Sequence, residues 1–363
     1  MWRCLFITRL ATYFLVPAKF LVINQTAALF AQPRISTFNG ICDASAGYYV
    51  TDKVLVVGND EDNRLYVYKE ETPDPVATMD IGAYFGSVGT KHEMDIEAAA
   101  RQGDHIYWIA SHGRSRKGNL KPDRYAFFAT RLSPGKKLEM PTTKKPYRKL
   151  IEDMLAEPLL ATNDEYGIAA STRLEVQHDS MLAPKRAGFN IEALAPLGKE
   201  GLYIGLRNPL KDGKAILIPL LNPREVIEKN ARARFAKPIL LDFGGLSFRD
   251  MAYVPASNGV PEGYLIIAGS RDNSDRFGIF FWQNNQPPVP LSVDLGGVRA
   301  EAILLHPRHG AKEALILSDD GRQASEGETC KDLFARGDLQ NVRFRAVKVN
   351  LADAIRNAVG VRK

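Results

Sequence analysis

The chain has 363 residues, 45% hydrophobic and 25% charged, an ordinary globular composition with enough length for one large all-β domain or two smaller ones. Its net charge is +6, but residues 1–31 hold Arg3, Arg9 and Lys19 and no acid, which leaves the remainder at +3. So small an excess, with no basic stripe interleaved with aromatics, speaks against nucleic acid as a partner.

Residues 1–31 combine a positive start, an apolar stretch around Leu10–Ile23 and small residues before Ala31. That pattern reads as a signal peptide cut after Ala31, which would make the protein periplasmic or secreted. Pro17 and Lys19 interrupt the apolar run, so an overextended gene start and an uncleaved anchor stay open as alternatives. Nothing later approaches a membrane span. Removing the leader removes Cys4 and leaves Cys42 and Cys330 near the two ends of the folded region. The pair is either a disulfide of an oxidising compartment or two buried thiols.

Short apolar or alternating runs then follow one another between turn residues, which is the pattern of antiparallel strands. They begin with Arg34–Gly40, Lys53–Gly58, Arg64–Lys69 and Val76–Ile81. Further runs are His105–Ser111, Tyr125–Leu132, Gly201–Leu206, Ala215–Leu221, Gly263–Ala268, Phe277–Trp282, Glu313–Ser318 and Val342–Val349. Pro146–Pro158 carries Leu150, Ile151, Met154 and Leu155 on one helical face, which predicts a short helical insertion over 147–157. Leu159–Ala161, Gly167–Ser171 and Arg173–Gln177 read as strands of a degenerate extra unit. Asn350–Val359 reads as a terminal helix capped by Asn350 and stopped by Gly360, so residues 351–363 form a helix and tail.

One motif recurs through this order. Asn190–Pro196 (Asn-Ile-Glu-Ala-Leu-Ala-Pro) has relatives at Cys42–Ala44, Asp95–Ala99, Arg249–Ala252 and Arg299–Ile303, each placing a carboxylate beside a small or apolar residue at the head of a strand. The acids Asp43, Glu97, Glu192, Asp250 and Glu301 are 54, 95, 58 and 51 residues apart. A period near fifty is that of a radial array of four-stranded units. The expected fold is therefore all-β, a single β-propeller of five or six blades over residues 32–350. The last unit lacks a strand that Arg34–Gly40 would supply.

In a propeller the first strands line the central channel, which brings those five acids towards its mouth. The antiparallel second strands end on the same face, adding His112, Arg114, Arg207, Arg271, Asp319 and Asp320. Like charges cannot crowd there uncompensated. Either a hard cation such as calcium is held by Asp43, Glu97, Glu192, Asp250, Glu301 and Asp319, or the arginines neutralise the acids as a structural network. A small anionic ligand or phosphate ester suits Arg114, Arg207 and Arg271, with His112 as the acid–base candidate. No Gly-x-Ser-x-Gly elbow, His-Glu-x-x-His or Cys-x-x-Cys occurs, which removes the common serine-hydrolase and zinc-enzyme patterns.

On Asp95–Arg101, His105–Arg114, Asn190–Pro196, Leu202–Pro209, Phe248–Pro255 and Leu315–Gly321, the chain resembles a bacterial β-propeller family of unknown function. More remotely it resembles the esterase-like or phytase-like propellers, in which an acidic-plus-glycine motif opens a blade. Ala98 and Ala193 stand where that group commonly has glycine. The first resemblance implies architecture without an activity. The second implies calcium-assisted ester or phosphoester hydrolysis as the alternative to ligand binding without catalysis.

Overall fold

The computed structural model describes residues 33–360 apart from residues 60–61, 87–92, 134, 136, 273, 275, 322–327 and 339–340. The signal-peptide reading of residues 1–31 lies outside the described residues. β1 (Arg34–Asn39) comes first. Blade 1 is β2 (Ala46–Tyr49), β3 (Val54–Gly58), β4 (Arg64–Lys69) and β5 (Ala77–Asp80), followed by α1 (Ile81–Phe85). Blade 2 is β6 (Ile96–Gln102), β7 (His105–Ala110), β8 (Phe127–Leu132) and β9 (Leu138–Pro141). An insertion with α2 (Leu150–Leu155), α3 (Pro158–Ala161) and α4 (Ile168–Thr172) precedes blade 3.

Blade 3 is β10 (Asn190–Leu197), β11 (Gly201–Lys211), β12 (Lys214–Leu220) and β13 (Ile239–Leu241), with α5 (Pro223–Lys229) between the last two. Blade 4 is β14 (Ser247–Val254), β15 (Gly263–Gly269), β16 (Phe277–Trp282) and β17 (Val289–Leu291). Blade 5 begins with β18 (Ala300–His306) and β19 (Gly310–Ser318); α6 (Cys330–Ala335) intervenes before β20 (Arg343–Val349), and α7 (Leu351–Ala358) ends the chain. All five sheets are antiparallel and four-stranded, and blade 5 has the order β1-β20-β19-β18. The chain is a five-bladed β-propeller.

The first strands β2, β6, β10, β14 and β18 each pack on the next, and β18 returns to β2 to close the ring. Closure at the backbone comes from β1, which pairs with β20 from Arg34↔Lys348 to Asn39↔Arg343. Facing sheets bury both their surfaces, so inner strands read as unbroken apolar runs. β7, for example, is buried at all its residues. Each junction between blades has its own core. Trp108 and Phe128 pack with Ala46 and Leu65 between blades 1 and 2, and Phe248 and Trp282 pack with Ala193 and Leu217 between blades 3 and 4. Gly205 is fixed by that second junction: a Cβ there would stand 2.7 Å from Phe248 Cγ. Among the described residues no helix is long and apolar enough to cross a membrane.

The expected degenerate sixth unit is not a blade. Its first two segments are α3 and α4, and Arg173–Gln177 is turn and irregular backbone. Local chemistry explains this. Pro158 occupies the first turn of α3, where its missing N–H costs nothing, and the Glu157 side chain caps Leu159 N. Asp164 accepts from both Ala169 N and Ala170 N at 2.8 Å, nucleating α4. Asn350 caps α7 through Ala352 N and Asp353 N, as its sequence predicts.

Cys42 and Cys330 are joined by a disulfide across 288 residues, with Cα atoms 6.0 Å apart. It packs against Leu333 and Val342. Asp320 N donates to Cys42 O at 2.9 Å, so the bond ties the approach to blade 1 onto blade 5 beside the β1–β20 ladder.

Candidate functional site

Four of the five first strands begin with the same irregularity. Ile96 faces Ala110 while Ala98 faces Ile109, which leaves Glu97 as the extra residue of a β-bulge. Glu192 stands at the same place between Ile191 and Ala193, Arg249 between Phe248 and Asp250, and Glu301 between Ala300 and Ala302. In blade 1 the regular ladder starts at Ala46 opposite Gly58, and the preceding Ser45 takes the equivalent place. These five residues all line one cavity of about 570 Å³ at the channel mouth. Two residues earlier in the chain, Asp43, Asp95, Asn190 and Arg299 line it as well.

The wall is nearly neutral. Asp43, Glu93, Asp95, Glu97, Glu192, Asp272, Glu301 and Asp319 are balanced by Arg116, Arg124, Lys185, Arg186, Arg207, Arg249 and Arg299. Glu192, 1% exposed, accepts from Asn190 Nδ2 at 3.1 Å, Arg207 Nη1 at 2.5 Å and Arg249 Nη1 at 3.1 Å. The same Arg249 nitrogen donates to Glu301 Oε1 at 2.9 Å. One guanidinium therefore bridges carboxylates from blades 3 and 5. Burial opposes the Arg249 charge, but Glu301, Glu192, Glu97 and Asp319 outweigh it and hold its pKa above the ordinary range. A second pair, Arg124 Nη1 to Asp95 Oδ2 at 2.7 Å, stands on the blade 2 side.

Burial pushes the Glu301 carboxyl up to about 7; Arg249 opposes this, and Glu192 and Asp319 add to it. A carboxyl raised in the folded state stabilises the fold while protonated and loses that contribution as pH rises from its unfolded pKa to its folded one. Stability is expected to fall by on the order of 3 kcal/mol between about pH 4.5 and 7 through this group. Glu301→Gln is expected to flatten that part of the pH–stability curve measured by urea unfolding. An unchanged slope would refute the assignment.

Several of the sequence-predicted residues stand elsewhere. Asp250 takes the position after the bulge, where blades 2, 3 and 5 have Ala98, Ala193 and Ala302, so it points into the junction between blades and not into the channel. Its Oδ2 accepts from Ile303 N at 2.8 Å, and burial raises its pKa well above the usual carboxylate range. A carboxyl turned into the junction between blades and bonded to a backbone N–H there is not placed to hold a cation in the channel. Arg114 is spent on backbone: its Nη2 donates to the carbonyls of Thr172, Arg173 and Val176 at 3.0, 2.8 and 2.7 Å, which anchors the insertion to blade 2.

His112 is also buried away from the cavity wall. Its Nδ1 donates to Ala110 O at 2.8 Å, and burial lowers its pKa to about 4, which removes it as the channel's acid–base group. Arg271 is exposed, donates to Asn208 Oδ1 at 3.2 Å, and meets the site only through its carbonyl, which accepts from Arg207. Asp320 forms a bidentate pair with Arg345 at 2.9 and 2.7 Å. Asp43, Glu97, Glu192, Glu301, Asp319 and Arg207 do meet at the cavity.

The calcium expectation does not fit these residues. Among the described residues, no three channel carboxylates bring one oxygen each within 4.8 Å of one another, whereas calcium takes six to eight converging oxygens. Arginines stand between them instead. Sequence reasoning missed Arg249 and Arg299, although each lies inside a quoted repeat, because it followed the acid in every copy. It also missed Asp95, Arg124, Lys185 and Arg186. The last two come from the insertion, whose Ala183–Arg186 segment reaches the cavity, and no local pattern predicts that approach.

Fold and site define a five-bladed β-propeller with a mixed-charge channel mouth. Residues 43–137, blade 1 and most of blade 2, match the model of a family described as protein of unknown function (DUF3616). That match covers 95 of the 363 residues. No curated protein matches it. Among solved structures it is similar to Myxococcus xanthus glutaminyl cyclase at 11% identity and TM-score 0.37, covering 78% of this chain and 90% of that one. It is similar to a glucose dehydrogenase at 11% identity and TM-score 0.42, covering 87% and 99%. The Myceliophteria thermophila Cps50 (Swd1) β-propeller domain is similar at 10% identity and TM-score 0.36, covering 87% and 99%.

Proposed function

We propose that this is an exported propeller whose channel mouth binds a small anionic molecule without turning it over. The observation that carries the reading is that two residues lining the cavity each keep a buried side-chain atom that lacks a protein partner: Asn190 its Oδ1, an acceptor, and Arg207 its Nε, a donor. Buried polar groups are nearly always satisfied, and an acceptor and a donor left over on residues that line one cavity suit a carboxyl or hydroxyl group of a ligand. Arg116, Lys185 and Arg186, also on the cavity, add positive charge towards an anion. The Cys42–Cys330 disulfide supports export, since such bonds persist in oxidising compartments.

Phosphoester or ester hydrolysis is the weaker reading. Of the three cavity hydroxyls, Ser45 Oγ donates to Ile96 O at 2.6 Å, Ser274 Oγ to Asp272 Oδ1 at 2.6 Å and Thr329 Oγ1 to Asp332 Oδ2 at 2.7 Å, so none has a histidine base to activate it. The test is a thermal-shift and calorimetric panel of inorganic phosphate, sugar phosphates, and small mono- and dicarboxylates. A true ligand at a hundredfold excess over its Kd stabilises the fold by about 2.7 kcal/mol. Lys185→Ala/Arg186→Ala should weaken that binding while leaving ligand-free stability unchanged. Shifts that persist equally in the double variant, or no shift across the panel, would refute the reading. Release of phosphate or alcohol would transfer the site to the hydrolytic one.

A further inference from the structure

The inner strand of blade 5 ends, away from the cavity, in the tight turn joining β18 to β19, where His306 pairs with Gly310. Here His306, His309 and Glu313 each offer one ligand atom, and these atoms lie within 4.8 Å of one another. Among the described residues this is the one such cluster of His, Cys, Asp and Glu. We propose that it is a site for a zinc-class divalent cation, separate from the channel mouth.

Three observations support it. First, His306 is held as a ready ligand. Its Nε2 donates to Asp52 O at 3.0 Å, so the ring's lone pair is on Nδ1. A backbone carbonyl on the far nitrogen is the usual outer support of a metal-bound histidine. Nδ1 now accepts two long bonds, 3.2 Å from Arg308 N and 3.3 Å from His309 N, which turn N–H groups readily exchange for water. Second, the spacing is close to that of a metal site. His309 Nε2 and Glu313 Oε1 are 3.9 Å apart, and two ligands about 2.0–2.1 Å from a tetrahedral zinc stand about 3.3 Å apart. The difference is within the swing of two half-exposed side chains.

Third, the neighbouring cations are already engaged. Arg308 pairs with Asp52 at 2.8 Å, and Lys348 pairs with Glu70 while lying 3.6 Å from the second oxygen of Glu313. The donor set of two imidazoles and one carboxylate suits zinc and not calcium, which prefers oxygen alone. The Asp52 carbonyl belongs to the β2–β3 turn of blade 1, so a cation here would clamp the junction between the last and first blades.

The test uses tag-free full-length protein, stripped with EDTA and titrated with Zn²⁺ by calorimetry, with metal content measured after desalting. One equivalent is expected, with a rise in Tm, and Co²⁺ in place of zinc should give the visible absorption of a tetrahedral site. Binding should be lost in His309→Ala and in Glu313→Gln, both of which alter exposed or half-exposed side chains and leave the fold intact. It should persist in His178→Ala, a surface histidine outside the cluster. Zinc retained at full stoichiometry in the His309→Ala/Glu313→Gln double variant would overturn the proposal, as would wild-type protein that retains none.

Discussion

Arg249→Met is expected to destabilise the propeller by about 3 kcal/mol at pH 8, because removing one partner of a buried ion pair leaves the other charge uncompensated. The figure is at the low end for such sites since 15% of the Arg249 side chain reaches the cavity. Glu192 keeps Arg207 and Asn190. Glu301 loses its bond to Arg249 and is pushed further towards the protonated form. The cost should therefore shrink at acidic pH, where Glu301 is neutral in both proteins. Arg249→Lys should rescue little, because a single ammonium does not reproduce the planar fork that spans two carboxylates. Combining Arg249→Met with Glu301→Gln should recover part of the loss. Chemical unfolding of the four proteins at pH 5 and pH 8 measures this, and an equal loss at both pH values would show that Arg249 acts through packing alone.

The second large effect is expected at the ring closure. The Cys42→Ser/Cys330→Ser variant should lose roughly 3–5 kcal/mol, since the bond closes a loop of 288 residues and strongly restricts the unfolded chain. The β1–β20 ladder still closes blade 5 in that variant, so it should fold to the same far-ultraviolet spectrum with a lower Tm. Reduction of the wild type with dithiothreitol should lower the Tm equally. A reduced wild type as stable as the oxidised one would show that the ladder alone closes the ring.

Much of this architecture is legible in the residues. Alternating and continuous apolar runs mark the strands, the fifty-residue spacing of the acids marks the blades, and the missing strand of the last unit points to Arg34–Asn39. The long interval between Glu97 and Glu192 was the exception. Its short apolar runs suit strands and helices alike, and the caps at Glu157 and Asp164 that decide for helix are single side chains.

For the channel mouth, the sequence by itself determined the location: Glu192 heads a first strand, and Arg207 directly follows the apolar run Gly201–Leu206 of the second strand beside it. Only the tertiary structure decided which residues face the cavity. Strand side chains alternate, so one extra residue in a bulge turns the next residue to the other face. That single step puts Arg249 in the channel and Asp250 in the junction between blades. The tertiary structure also decided the electrostatics. Arg249 meets Glu192 and Glu301 at separations of 57 and 52 residues, and pairs that distant exist only once the ring has closed and brought three blades to one axis.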